Sequence, residues 1–122
     1  CFYCRKRVNE GSVDVDHYIP FSMYGRDLAH NFVLAHAQCN RSKSDTLAAR
    51  SHLERWMERA STRADDLSEI GEKAGVSSDL GALTKVASWA YANAHASGSS
   101  AWVEPRTYEP VNARYLELFA AV

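Results

Sequence analysis

Cys1-Phe2-Tyr3-Cys4 and His36-Ala37-Gln38-Cys39 are two pairs of soft ligands, each with a two-residue spacer, and 31 residues lie between the pairs. Zn²⁺ takes four such ligands in a tetrahedron, and a two-residue spacer lets one tight turn aim both side chains of a pair at a single ion. The arrangement uses all three cysteines of the chain, and an odd number argues against a disulfide framework. A redox reading of Cys1 and Cys4 lacks the strand-helix setting of a thioredoxin-like site. A surface histidine at position 36 beside a lone buried Cys39 is the other reading, and it leaves the repeated spacing without a reason. Four protein ligands close a site to water, so a zinc ion held by Cys1, Cys4, His36 and Cys39 is structural rather than catalytic.

Between the two halves of this knuckle, and just after it, stand residues that could do acid-base and cation chemistry. Asp16 and His17 are adjacent, Asn31 follows after a loop, and Asn40-Arg41-Ser42-Lys43-Ser44-Asp45 directly follows Cys39. Singly each is ordinary: an Asp beside a His is usually structural, and a lone Asn is more often a cap or turn residue.

The elements that must position these residues are short. Val13-Asp14-Val15-Asp16 alternates apolar and acidic residues, which predicts a strand after a turn at Gly11. Pro20 ends it, Ser22–Asp27 reads as a loop, Phe32-Val33-Leu34 as a second strand, and a helix is expected from about Ala37. From Thr46, Leu47, Leu53, Trp56, Met57, Ala60, Ala64, Leu67 and Ile70 recur at helical spacing, with Asp45 as the expected cap, Gly75 as the stop and breaks near Ser61-Thr62. Ser77-Ser78-Asp79 opens a further helix that Gly98 ends, Pro105 and Pro110 bracket a loop, and a last short helix carries Tyr115, Leu116 and Phe119. The expected class is α+β and mostly helical. A zinc-stabilised core over 1–63 is followed by a helical extension over 64–122 packed on it, with Trp56, Trp89, Tyr91 and Phe119 mostly buried.

Composition sets the outer limits. The 122 residues, 46% hydrophobic and 24% charged, fit a globular chain of one domain's size. No apolar run approaches the ~20 residues of a membrane span, and nothing resembles a cleavable signal peptide. Because the first residue is Cys1, the chain is expected to be part of a longer protein. Residues 1–63 hold ten Lys/Arg against seven Asp/Glu, and residues 64–122 four against eight. A basic front suits a protein that turns one face to a polyanion, although so small an excess decides nothing alone.

Together with the knuckle, these residues form a pattern. Val15-Asp16-His17-Tyr18-Ile19-Pro20-Phe21-Ser22, then Asn31-Phe32-Val33-Leu34, then Cys39-Asn40-Arg41-Ser42-Lys43-Ser44-Asp45, resembles the V-D-H-x-x-P-x-S, N-x-V-L and C-N-x-x-K-x-D blocks of the HNH endonuclease family. The resemblance runs through most of Cys1–Ala48 and does not cover residues 49–122. Asn40 stands where the namesake has histidine, which makes this the His-Asn-Asn variant, and His36 stands where many zinc-bearing members have cysteine. The resemblance implies a ββα-metal unit and a soluble, cytoplasmic protein of bacterial or phage type.

It also implies phosphodiester hydrolysis, which requires an attacking hydroxide, charge neutralisation on the phosphoryl oxygens and help for the leaving oxygen. The family places the general base at His17, and an imidazole that titrates near neutrality suits that task. Asp16 and Asn40 offer hard oxygens to a catalytic Mg²⁺ or Mn²⁺ ion, and Asn31 is expected to fix the loop that carries His17. Lys43, Arg41, Arg5, Lys6 and Arg7 are the expected phosphate contacts. The nucleic acid is expected to be DNA, with a protein partner or an upstream domain as the expected source of specificity.

The rival reading is a zinc-stabilised nucleic-acid-binding module without catalysis, or a nuclease subunit of a larger complex. It would use Arg5-Lys6-Arg7 and the stripe Arg55, Arg59 and Arg63, spaced four apart on one helical face. A pure binder has no need to keep Asp16, His17, Asn31 and Asn40 together.

Overall fold

The computed structural model describes residues 1–120. Two short strands, β1 (Val13–His17) and β2 (Phe32–His36), pair antiparallel, with Asp16 opposite Val33 and His17 opposite Phe32. The first helix, α1 (Ala37–Lys43), follows β2 without a loop. Alternation along β1 puts Asp14 and Asp16 on one face and Val13, Val15 and His17 on the other. Val15 and Leu34, opposite each other in the register, are both exposed, while Val33 and Ala35 are buried on the face shared with the two aspartates.

Three longer helices follow: α2 (Arg50–Thr62), α3 (Ala64–Lys73) and α4 (Leu80–Ser97). The break between α2 and α3 at Arg63 lies beside the expected one. Asp79 caps α4 by accepting the Ala82 N–H, and Gly98 ends it in the left-handed conformation at φ 72°. Asp45 is not the cap of α2. Leu47 and Ala49 exchange backbone hydrogen bonds with Trp102 instead, so the chain stays extended until Ala49.

That exchange is part of the largest departure from expectation. The segment around Pro105 is a hairpin rather than a loop: β3 (Ser100–Glu104) pairs with β4 (Thr107–Pro110), and Arg106 takes φ 67° in the turn. Pro105 serves the turn and Pro110 ends an edge strand, the two places in a hairpin where a missing N–H costs little. The extension is therefore two helices, a hairpin and a closing helix, α5 (Ala113–Ala120).

The core draws on both parts of the chain. Tyr18 stacks on Trp56 with ring centroids 4.6 Å apart, and its hydroxyl donates to that of Tyr91, which donates to the Ala48 carbonyl at 2.7 Å. Trp56, Tyr91, Trp102 and Tyr115 are buried, and Phe119 is half-buried against them. Trp89 is the exception: it is 63% exposed, because Ala87, Ala90, Tyr91 and Ala94 form the inward stripe of α4 and leave position 89 outside it. Gly71 of α3 packs directly on the turn Ala29–Asn31, where a Cβ would lie 2.6 Å from that of Ala29. No helix of the described residues is long and apolar enough to cross a membrane.

Candidate functional site

The Cys1–Cys4 turn and the β2–α1 junction bring four ligand atoms, from Cys1, Cys4, His36 and Cys39, within 4.8 Å of one another. His36 Nδ1 lies 3.2 Å from Cys4 Sγ and 4.0 Å from Cys39 Sγ. Its other nitrogen, Nε2, is 2.7 Å from the Arg7 carbonyl. A carbonyl only accepts, so Nε2 carries the proton and the Nδ1 lone pair is turned to the sulfurs, the anchoring usual for a metal-bound histidine. Burial, then the neighbouring Cys4, pushes the Cys39 thiol above its usual pKa; a cation among the four would favour the thiolate instead. Three sulfurs and one imidazole fit zinc in a closed structural site.

The turn is fixed from outside as well. Arg55 of α2 donates to the Phe2 and Tyr3 carbonyls and lies over the Phe2 ring, and Arg59 donates to the His30 carbonyl at 2.9 Å. Arg63 pairs with Asp66. The stripe Arg55, Arg59 and Arg63 is thus not a free row of phosphate contacts, since its first two members are used inside the protein.

A second cluster forms where the inner face of β1 meets α1. Asn40 donates from Nδ2 to Asp14 Oδ2 at 3.0 Å, which leaves the lone pairs of its carbonyl oxygen for a ligand. Asp16 Oδ2 accepts from the Tyr3 hydroxyl at 2.6 Å and lies 3.6 Å from Lys43 Nζ. Burial, followed by the Asp16 charge, raises the Tyr3 phenol well above its usual pKa, so the hydroxyl stays a donor. Lys43 is fully buried and its ammonium makes no hydrogen bond. It was expected to contact phosphate, but its position in α1 points it under Asp16, and burial lowers its pKa against the pull of that carboxylate. Arg41, Arg5, Lys6 and Arg7 are exposed.

His17 ends β1 on the opposite face. Its ring lies 4.9 Å from that of Phe32 and 5.2 Å from that of Phe21, and Nε2 is 2.8 Å from Asp27 Oδ1. An ionised carboxylate only accepts, so the neutral ring donates from Nε2 and keeps its Nδ1 lone pair for a proton. Among the described residues no hydrogen bond joins His17 to Asp16 or Asn40. Asn31 is fully buried and clamps the chain just beyond His17: Oδ1 accepts the Ile19 N–H at 2.7 Å, and Nδ2 donates to the Ile19 carbonyl at 2.9 Å.

Residues 1–49 match the HNH endonuclease family model. No curated protein and no solved structure matches the chain. The matched segment contains every residue of the knuckle and of both clusters around β1, and it ends where α2 begins. Three of its contacts were not foreseen. Asp14 was legible in principle, because period-2 alternation puts it beside Asp16. Asp27, in a loop ten residues from His17, and Tyr3, inside the knuckle turn, carry no comparable signal.

Proposed function

We propose that this protein is a metal-dependent HNH endonuclease that hydrolyses nucleic-acid phosphodiester bonds, with DNA as the expected substrate. The observation that carries the reading is the bond of Asn40 to Asp14 where α1 meets the face of β1 that also carries Asp16, with His17 as the next residue of β1, inside the segment matched to the family. Asp16 and the Asn40 carbonyl would hold a hard divalent cation, Mg²⁺ or Mn²⁺, and Asp14 turns the Asn40 amide for that task. When bound, such an ion supplies charge neutralisation on the phosphoryl and leaving oxygens.

The remaining steps fall to the chain's own residues. His17 takes a proton from water at Nδ1, while Asp27 holds the ring and its tautomer through Nε2. Asn31 keeps the chain after His17 from swinging away. Because His17 and Asp16 lie on opposite faces of β1, the scissile phosphate sits over the end of that strand, where the two faces meet. Exposed Arg41 in α1 is the nearest candidate for phosphate contact in sequence, with Arg5, Lys6 and Arg7 further along the surface of the knuckle.

Asn40→His tests the cation assignment. Histidine replaces a hard carbonyl oxygen with an imidazole nitrogen, which favours Mn²⁺, Co²⁺ or Ni²⁺ over Mg²⁺. Cleavage of a DNA duplex by the variant should fall more in Mg²⁺ than in Mn²⁺ or Ni²⁺, while Asn40→Ala should lose activity with every ion. An unchanged ranking of metals in Asn40→His would remove Asn40 from the cation site.

A further inference from the structure

Tyr3 joins the two centres of this protein. Its backbone belongs to the Cys1–Cys4 turn, and its hydroxyl ends on Asp16, thirteen residues away in sequence. The ring is 3% exposed and is gripped edge-on by His52 and Trp102, each with its centroid 5.3 Å away. Both gripping residues lie beyond the segment matched to the family. Trp102 is itself pinned, its indole N–H donating to Ser42 Oγ at 2.9 Å and its backbone to Leu47.

The two contacts on Asp16 fall on one oxygen. Both the Tyr3 hydroxyl and the Lys43 ammonium approach Oδ2, and among the described residues no hydrogen bond reaches Oδ1. A carboxylate at the end of a two-stranded sheet otherwise turns freely about two torsions. Fixing one oxygen with a short charge-assisted hydrogen bond restricts it to one orientation and leaves the other oxygen for a ligand.

We propose that Tyr3 is a positioning residue for Asp16: it holds Oδ2 and so presents Oδ1 to the divalent cation, which ties cation binding to the zinc knuckle. The inference rests on the reading of Asp16 as a cation ligand. Partners that orient a ligand in this way are typically worth ~10–100-fold in metal affinity. Tyr3→Phe removes the hydroxyl and keeps the ring between His52 and Trp102.

The test is Mn²⁺ binding to the zinc-loaded chain without nucleic acid, read from the free-Mn²⁺ signal in electron paramagnetic resonance. Wild type should bind Mn²⁺, Tyr3→Phe should bind it roughly tenfold more weakly, and the variant should remain folded with wild-type zinc content. In full-chain wild type labelled with ¹³C at tyrosine Cζ, the Tyr3 resonance should move as Mg²⁺ is added, a readout that needs no variant. Equal Mn²⁺ affinity in wild type and Tyr3→Phe, or a Tyr3 resonance that Mg²⁺ leaves in place, would overturn the positioning role and leave the nuclease reading standing. Undiminished Mn²⁺ binding in Asp16→Ala would overturn the reading of Asp16 as a cation ligand, and the positioning role with it.

Discussion

His17→Ala is expected to cut the rate of DNA cleavage by about 10²–10⁴-fold, the usual contribution of a positioned general base. Fold, zinc content and affinity for nucleic acid should remain near wild type. The side chain lies against Phe21 and Phe32 at the sheet's surface and is a quarter exposed, so its loss opens no cavity in the core. Its one polar partner among the described residues, Asp27, is itself mostly exposed and returns to water without penalty. Single-turnover cleavage with excess protein, beside a binding measurement on the same duplex, separates the chemical step from association. Wild-type turnover in the variant would remove His17 from the mechanism.

The second large effect is on stability. Cys39→Ser should lose zinc and unfold the front of the chain. Structural zinc in small motifs is worth on the order of 10 kcal/mol of apparent binding free energy, most of it coupled to folding. That is as large as the whole stability of an ordinary domain, ~5–15 kcal/mol. Beside the ion, Arg55 donates to the knuckle's carbonyls, the Phe2 N–H donates to the Leu34 carbonyl, and Tyr3 and Phe2 pack behind it. Metal analysis of the wild type should give one zinc per chain, and chelation should reproduce the Cys39→Ser phenotype. A zinc-free preparation that melts at the wild-type temperature would refute the structural site.

Loss of the knuckle should also reach further than its four ligands. The buried rings of Tyr3, His52 and Trp102 contact one another across the boundary of the segment matched to the family. Release of the Cys1–Cys4 turn therefore loosens the hairpin of β3 and β4 and frees Asp16 at once.

The front of the molecule was legible because its determinants are local. The ligand spacing of the knuckle, the alternation of β1 and the turn to helical periodicity after His36 each depend on residues within a few positions of one another. What was not legible depends on packing at a distance. Lys43 reads as a solvated cation in a polar run, and only the position of α1 against β1 reveals that its ammonium is enclosed beneath Asp16. Arg55 and Arg59 read as a basic stripe, yet the carbonyls of Phe2, Tyr3 and His30 lie within their reach once α2 crosses behind the knuckle. The hairpin was hidden by its two prolines, which argue for a loop until the backbone of Trp102 is seen to pair with Leu47 and Ala49. Asn40 is expected to share a cation with Asp16; the bond of its amide to Asp14, one step back along the same face, carries no signal in the sequence.

The central claim is that this chain hydrolyses a nucleic-acid backbone with a divalent cation and His17. The most direct measurement is conversion of supercoiled plasmid by the purified, zinc-loaded protein after removal of loosely bound ions, with Mg²⁺ or Mn²⁺ added back, and with His17→Ala treated in parallel. Relaxed and linear plasmid should appear with the added ion, and not with zinc-loaded protein alone or with His17→Ala. Plasmid that stays supercoiled with every ion, while the folded protein still binds it, would contradict the account and leave a nucleic-acid-binding module stabilised by zinc.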